Sequence, residues 1–151
     1  MKNIIIETYI KQDDTYVSIF DFNGDIADSD YIEGALVLSI NGVGLIDQTM
    51  YDYIEELWCY LVEGLSLIYE GGDFSCFFPD QPIEVKFIYL DRVVRVIVNC
   101  HEEVKVDVDR EYFLMSMSSH ARAFFNRLME IEPSSKESSV RVISCLDKIK
   151  F

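Results

Sequence analysis

Basic residues are scarce in this chain of 151 residues: 13 Lys and Arg stand against 27 Asp and Glu, a formal net charge of −14 at pH 7 and a pI near 4.4. A surface with that balance repels phosphate, so nucleic-acid binding is the first function class to be set aside. Long hydrophobic runs are missing too. No stretch approaches the ~20 apolar residues that span a bilayer, and Met1-Lys2-Asn3-Ile4-Ile5-Ile6 meets Glu7 before it is long enough for a secretory signal. A soluble, cytoplasmic protein without a membrane partner is expected. The four cysteines, Cys59, Cys76, Cys100 and Cys145, lie 17, 24 and 45 residues apart with no C-x-x-C, which argues against a zinc site or a disulfide framework and for free thiols. Glycine is sparse at seven residues, and its spacing builds neither a dinucleotide fingerprint nor a P-loop.

What is present is half hydrophobic and 13% aromatic, enough to bury one compact core, and no linker or repeat divides the chain. Residues 1–151 are expected to form a single domain. Period-2 patterns over Asn3 to Tyr9, Thr15 to Phe22 and Glu33 to Ile40 predict three strands of a meander. Residues 49 to 70 then change to helical spacing, with Met50, Ile54, Leu57, Trp58, Leu61, Leu65 and Ile68 on one face. Thr49-Met50-Tyr51-Asp52 fits a capping box at its start, and Gly71-Gly72 a stop. Phe74 to Phe78 reads as a short strand closed by Pro79-Asp80-Gln81-Pro82. Ile83 to Leu90, Val93 to Cys100 and Glu103 to Val108 give a second antiparallel run. A second long helix spans about Arg110 to Ile131 with Asp109 as N-cap and Pro133 beyond its end. Glu132 to Ser139 reads as a polar linker. The tail, Val140 to Ile149, suits both helix and strand, and helix is favoured. The predicted class is α+β: an antiparallel sheet of two meander runs, two long helices packed on it, and a short C-terminal helix.

The excess charge is confined to one half. Residues 1–80 hold 16 acids against Lys2 and Lys11, whereas residues 81–151 hold 11 acids and 11 bases. At 100° per residue, Asp52, Glu56, Glu63 and Glu70 share a narrow stripe opposite the apolar face of the first helix, which carries no Lys or Arg. Like charges at i and i+4 cost a few tenths of a kcal/mol each, so a merely solvated face is expected to mix both signs. Tyr53 and Tyr60 flank the stripe, and Tyr9, Tyr16, Tyr31 and Tyr51 lie in the same half. Tyrosine beside carboxylate is a common composition for a protein interface. Asp25, Asp28, Asp30 and Glu33 extend the candidate face.

Catalytic and metal constellations fare poorly. Asp21-Phe22-Asn23-Gly24-Asp25 begins like a calcium loop, but Ile26 and Ile32 occupy the positions of its required Gly and bidentate acid. Solvated turn carboxylates are the better account of Asp25, Asp28, Asp30 and Glu33, so no metal and no cofactor are expected. Cys100-His101 are neighbours on a predicted strand and face opposite ways, and Ser118-Ser119-His120 on a helix do not face one another. Both histidines read as surface or helix-face residues, and no catalytic residue is assigned.

Glu33-Gly34-Ala35-Leu36-Val37-Leu38-Ser39-Ile40-Asn41-Gly42, the helix around Ile54-Glu55-Glu56-Leu57-Trp58, and Phe78-Pro79-Asp80-Gln81-Pro82 before a strand pair together resemble, in layout and character, the immunity proteins of bacterial polymorphic toxin systems, including contact-dependent growth inhibition. The resemblance covers about the middle 65 residues. It implies a non-enzymatic cytoplasmic inhibitor that covers a cognate, basic, nuclease-type toxin domain, with the acidic protein standing in for a phosphate backbone. The competing readings are an acidic DNA mimic of phage or mobile-element origin, and a small ligand-binding or enzymatic α+β domain with a pocket near His101 or His120.

Overall fold

A computed structural model describes residues 3–151; Met1 and Lys2, which open the segment judged too short for a signal, lie outside it. Among the described residues nine strands form two antiparallel sheets. The first contains β1 (Ile4–Gln12), β2 (Thr15–Ser18), β3 (Glu33–Ile40), β4 (Val43–Ile46) and the two-residue β5 (Asp52–Tyr53), in the order β2-β1-β3-β4 with β5 also on β3. The second is a true meander of β6 (Phe74–Phe77), β7 (Glu84–Leu90), β8 (Val93–Asn99) and β9 (Glu103–Asp109). Three helices complete the α+β fold: α1 (Ile54–Tyr69), α2 (Arg110–Ile131) and α3 (Lys136–Leu146). Among the described residues no helix is long and apolar enough to cross a membrane.

The first sheet is not the meander that the sequence suggests. The central strand is β1, which pairs along its length with β3, Ile4 opposite Ile40 and Ile10 opposite Gly34, while β2 is an edge. The predicted second strand ends early. Ile19 and Phe22 are buried in a turn, not in a strand, because Arg127 reaches across from α2 to donate to their carbonyls, at 3.2 Å and 2.7 Å. Asn41 and Gly42, both at positive φ, make the tight turn that adds β4, a strand unrecognised in the pattern.

The start of α1 also departs from expectation. Thr49 does not open a capping box. It sits in a 3-10 turn, Gln48–Met50, whose N-cap is Asp47, and the backbone is extended again at β5 before α1 begins at Ile54. The end is as expected: Gly71 N–H bonds to Ile68 O and Gly72 N–H to Leu67 O, the paired closure of a Schellman cap. Asp109 caps α2 through the Tyr112 N–H at 2.9 Å.

Helices α1 and α2 pack across both sheets, and α3 packs on α1 and α2. One buried cluster joins these layers, with Trp58, Phe87, Phe113, Phe124 and Phe125 among its largest members. The segment Glu132 to Ser139 is no linker. It forms a 3-10 turn and the first turn of α3, and Ser135 and Ser139 are buried because the Ser135 hydroxyl is satisfied by the Glu132 carbonyl at 2.7 Å. All four cysteines are free.

Candidate partner-binding face

The structure divides the predicted interface residues into separate groups. Asp52 is set apart from the others by burial. It lies on β5, is 5% exposed, and its carboxylate accepts the backbone N–H groups of Tyr53 at 2.7 Å, Asp80 at 3.1 Å and Gln81 at 2.9 Å. The helical stripe fails there because the helix starts two residues later. Glu56 and Glu63 lie on α1 and Glu70 follows its last residue, yet Glu63 is about 10 Å and Glu70 about 21 Å along the axis from Glu56. Glu70 is the helix C-cap. Tyr60 and Glu63 line a different hollow from the one that holds Glu33 and Tyr53.

What folding does assemble is a tyrosine pair ringed by acids. Tyr31, 59% exposed, lies 5.3 Å from Tyr53, ring centroid to centroid. Asp28, Glu33 and the two tyrosines, together with Lys11, line an open hollow of about 580 Å³ beside the β1–β2 turn. On the other side Glu33 and Tyr53 border Asp80, which the Asp52 carboxylate holds in place. Asp80 acts first, then partial burial, then Glu33, to push the Tyr53 phenol above its ordinary pKa. Asp28 Oδ1 accepts the Asp30 N–H at 3.0 Å, which fixes the loop. Asp30 in turn faces Glu55 and Glu56 across a smaller hollow. Both glutamates have raised pKa values. For Glu55 the cause is burial, opposed by the Ser138 hydroxyl at 3.0 Å and reinforced by Asp30 and Glu132. For Glu56 it is burial, then Glu55 and Asp52. Asp25 is exposed on the same loop, its carbonyl accepting from Gln12 at 3.4 Å.

Tyr31, Glu55 and Asp80 are the members that spacing did not single out. Asp80 belongs to a proline-bounded turn, and nothing in the linear sequence brings it to Tyr53.

The charge imbalance survives folding. All five ion pairs among the described residues, Lys86–Glu84, Arg95–Asp107, Arg122–Asp147, Arg127–Glu130 and Arg141–Glu137, lie in the neutral C-terminal half. Lys11 stands over the Tyr51 ring, 4.6 Å from its centroid. Among the described residues no base of the second half forms an ion pair with a carboxylate of the first; Arg127, which does reach the first half, binds main-chain carbonyls there.

Catalytic chemistry has little to work with. Thr8 Oγ1 and His120 Nε2 are 2.8 Å apart, the distance of a nucleophile and its base, but Thr8 is 1% exposed and Trp58 Nε1 donates to the same hydroxyl at 3.1 Å. Indole is a donor only, so all three groups are satisfied when Thr8 donates to Nε2 and the ring proton sits on Nδ1. Of the two expectations for His120, surface or helix face, the second holds: it lies on α2 with its ring turned inward and mostly covered. Its ring stacks on Trp58 at 5.4 Å and meets the edge of Phe20 at 5.9 Å. Burial lowers its pKa to about 4. Cys100 and His101 lie on the bend between β8 and β9, with His101 exposed, and not on a strand. Burial, helped by neighbouring glutamates, pushes the Cys59 thiol up to about 12 and the Cys76 thiol up to about 11, which keeps both protonated and weakly nucleophilic near neutral pH. No group of three or more His, Cys, Asp and Glu among the described residues is placed to hold a metal ion.

His120 gives a pH prediction. An unfolded histidine titrates near 6.5 and the folded one near 4, so the unfolded chain binds more protons between those values. Stability from the neutral ring is complete above the unfolded value and is lost as pH falls through the window, by about 2 to 3 kcal/mol once partial solvent access is allowed for. Urea unfolding at pH 7 and pH 4 measures this loss, and His120→Gln is expected to remove it.

The fold and face define an α+β protein of two antiparallel sheets with an acidic, tyrosine-bearing surface. Comparison with protein-family models, with curated proteins and with solved structures finds no match.

Proposed function

We propose that this chain is a non-enzymatic immunity or inhibitor protein that neutralises a cognate basic toxin domain, nuclease-type in the closest reading, on the face built around Tyr31, Tyr53, Asp28, Glu33 and Asp80. What supports the reading is the scarcity of internal neutralisation: every ion pair of the described residues uses a carboxylate from Glu84 onward, and although Lys11 lines the same hollow, no described base lies within 4 Å of the carboxylates around the tyrosine pair. Such a surface accelerates encounter with a positive protein. Docking relieves repulsion among Asp30, Glu55 and Glu56, and the tyrosines supply rigid, amphipathic anchors that lose little entropy when covered.

The test is capture with a tagged chain from a lysate of the source cells, washed first at low and then at high salt. A single basic protein is expected, released by salt, toxic when produced alone and harmless when co-produced with this chain. Charge reversal at Glu33 and Asp80 is expected to slow association about tenfold or more with little change in folding stability. An unchanged association rate removes this face from the interface. Association is also expected to weaken as pH falls toward the raised range of Glu55 and Glu56, because their protonation removes charge that the partner meets. Binding measured across mildly acidic pH values checks the sign.

A further inference from the structure

We propose that the open edge of β6 is a docking groove for an extended basic segment of a partner protein, which adds to the second sheet as a fifth strand. The two edges of that sheet differ. The β9 edge is met by β4 of the first sheet, and the Asn41 side chain donates to the Asp107 carbonyl at 3.3 Å. Among the described residues β6 pairs only with β7.

The bond from Phe78 N–H to Ile83 O, 2.8 Å, sets the alternation of the ladder. Phe74, Cys76 and Phe78 turn their backbone groups toward β7, so the N–H and C=O of Ser75 and Phe77 point to the free side. Natural edges are usually blunted by a charged residue, a proline or a bulge. At four residues the strand Phe74-Ser75-Cys76-Phe77 is short, which is itself one way of blunting an edge, but it holds no charge, proline or bulge, and Phe77 is 60% exposed. Beside it lies a hollow of about 600 Å³, walled on the other side by Tyr60, Glu63 and Leu67 of α1. A peptide lying there gains main-chain bonds from Ser75 and Phe77 and apolar contact from Leu67 and Phe74, as in strand addition to other sheet edges.

Charge selects the occupant. The acidic residues lining the groove are Glu63 and Asp73, with no Lys or Arg among its lining, and the field of Glu63 adds to burial in raising the Cys76 thiol. A second copy of this chain brings the same two acids and a net charge of −14, so edge-to-edge self-pairing is repelled. A strand carrying Lys or Arg is attracted. The groove stands apart from the Tyr31–Tyr53 face, and the proposal holds whether or not that face binds a toxin.

The experiment titrates the full chain with an N-acetylated, C-amidated peptide of alternating Lys and Val, six residues long, and with its Glu-Val counterpart, followed by amide NMR. The Lys-Val peptide is expected to shift the Ser75 and Phe77 amides and slow their hydrogen exchange about tenfold, and the Glu-Val peptide to leave them unchanged. Ser75→Pro deletes an outward donor while sparing the pairs to β7, so it is expected to abolish the response without altering the unfolding midpoint. Glu63→Lys, on an exposed helix position, is expected to weaken the peptide about tenfold and serves if Ser75→Pro does not fold. Shifts that map elsewhere, equal responses to both peptides, or concentration-dependent protection of Ser75 and Phe77 in the chain alone, which would mark a second copy on the edge, each overturn the proposal.

Discussion

Asp52→Ala is expected to lower the free energy of unfolding by about 3 to 4 kcal/mol, read as a shift of the urea midpoint at unchanged slope. The carboxylate accepts three backbone N–H groups, from Tyr53, Asp80 and Gln81. Truncation leaves three donors without their acceptor, and hydrogen bonds to a charged acceptor are roughly twice as strong as neutral ones. Two of the donors belong to the turn 79–82, so the substitution also frees Asp80 from its place beside Tyr53. Asp52→Asn keeps one carbonyl oxygen for the amides and is expected to cost about half as much. If Asp52 instead served a partner directly, stability would stay level and affinity alone would fall.

Gly34→Ala is expected to be of similar or larger cost, about 3 kcal/mol or more, with loss of the cooperative transition if stability is near the low end for a domain of this size. A β-carbon at this position lies 2.3 Å from the Tyr9 carbonyl oxygen and 2.9 Å from Ile54 Cβ. Neither neighbour can yield cheaply. Tyr9 is backbone in the central ladder, and Ile54 is the first, fully buried residue of α1. Gly34 pairs with Ile10 on one side and Asp52 on the other, so β3, β5 and the start of α1 meet around it. Circular dichroism and thermal unfolding of the variant measure the effect, and an ordinary melting curve would show that the sheet relaxes around the added methyl group.

These two residues also mark how far the sequence can be read. Helix α2 is legible at both ends, because a period near 3.6, an aspartate at the N-cap and a proline beyond the C-terminus are all local signals. The second sheet is equally legible, since Asp91-Arg92 and the bend at 100–102 join strands that pair with their nearest neighbours. The first sheet is not. Alternation tells which side of a strand is wet but not which strand lies beside it, so β1 and β2 look like members of a meander although β3 is the longer partner of β1. The acidic stripe met the same limit: helical geometry extrapolated back to Asp52 crosses the boundary of α1, and helix starts are the least secure feature of a periodic pattern.

By itself the sequence determined the α+β class, the acidic N-terminal half, the free thiols and the positions of most elements. Each follows from composition or from a repeat within a few residues. Only the tertiary structure decided that Asp52 is a buried clamp on the turn 79–82, that His120 packs against Trp58, Phe20 and Thr8, and that Asp80 lies beside Tyr53. The Asp52 carboxylate meets amides 28 and 29 residues further on, and Thr8 meets His120 across 112 residues. Contacts at such separations leave no periodic trace, because they arise from the packing of whole elements and not from the order of residues along any one of them.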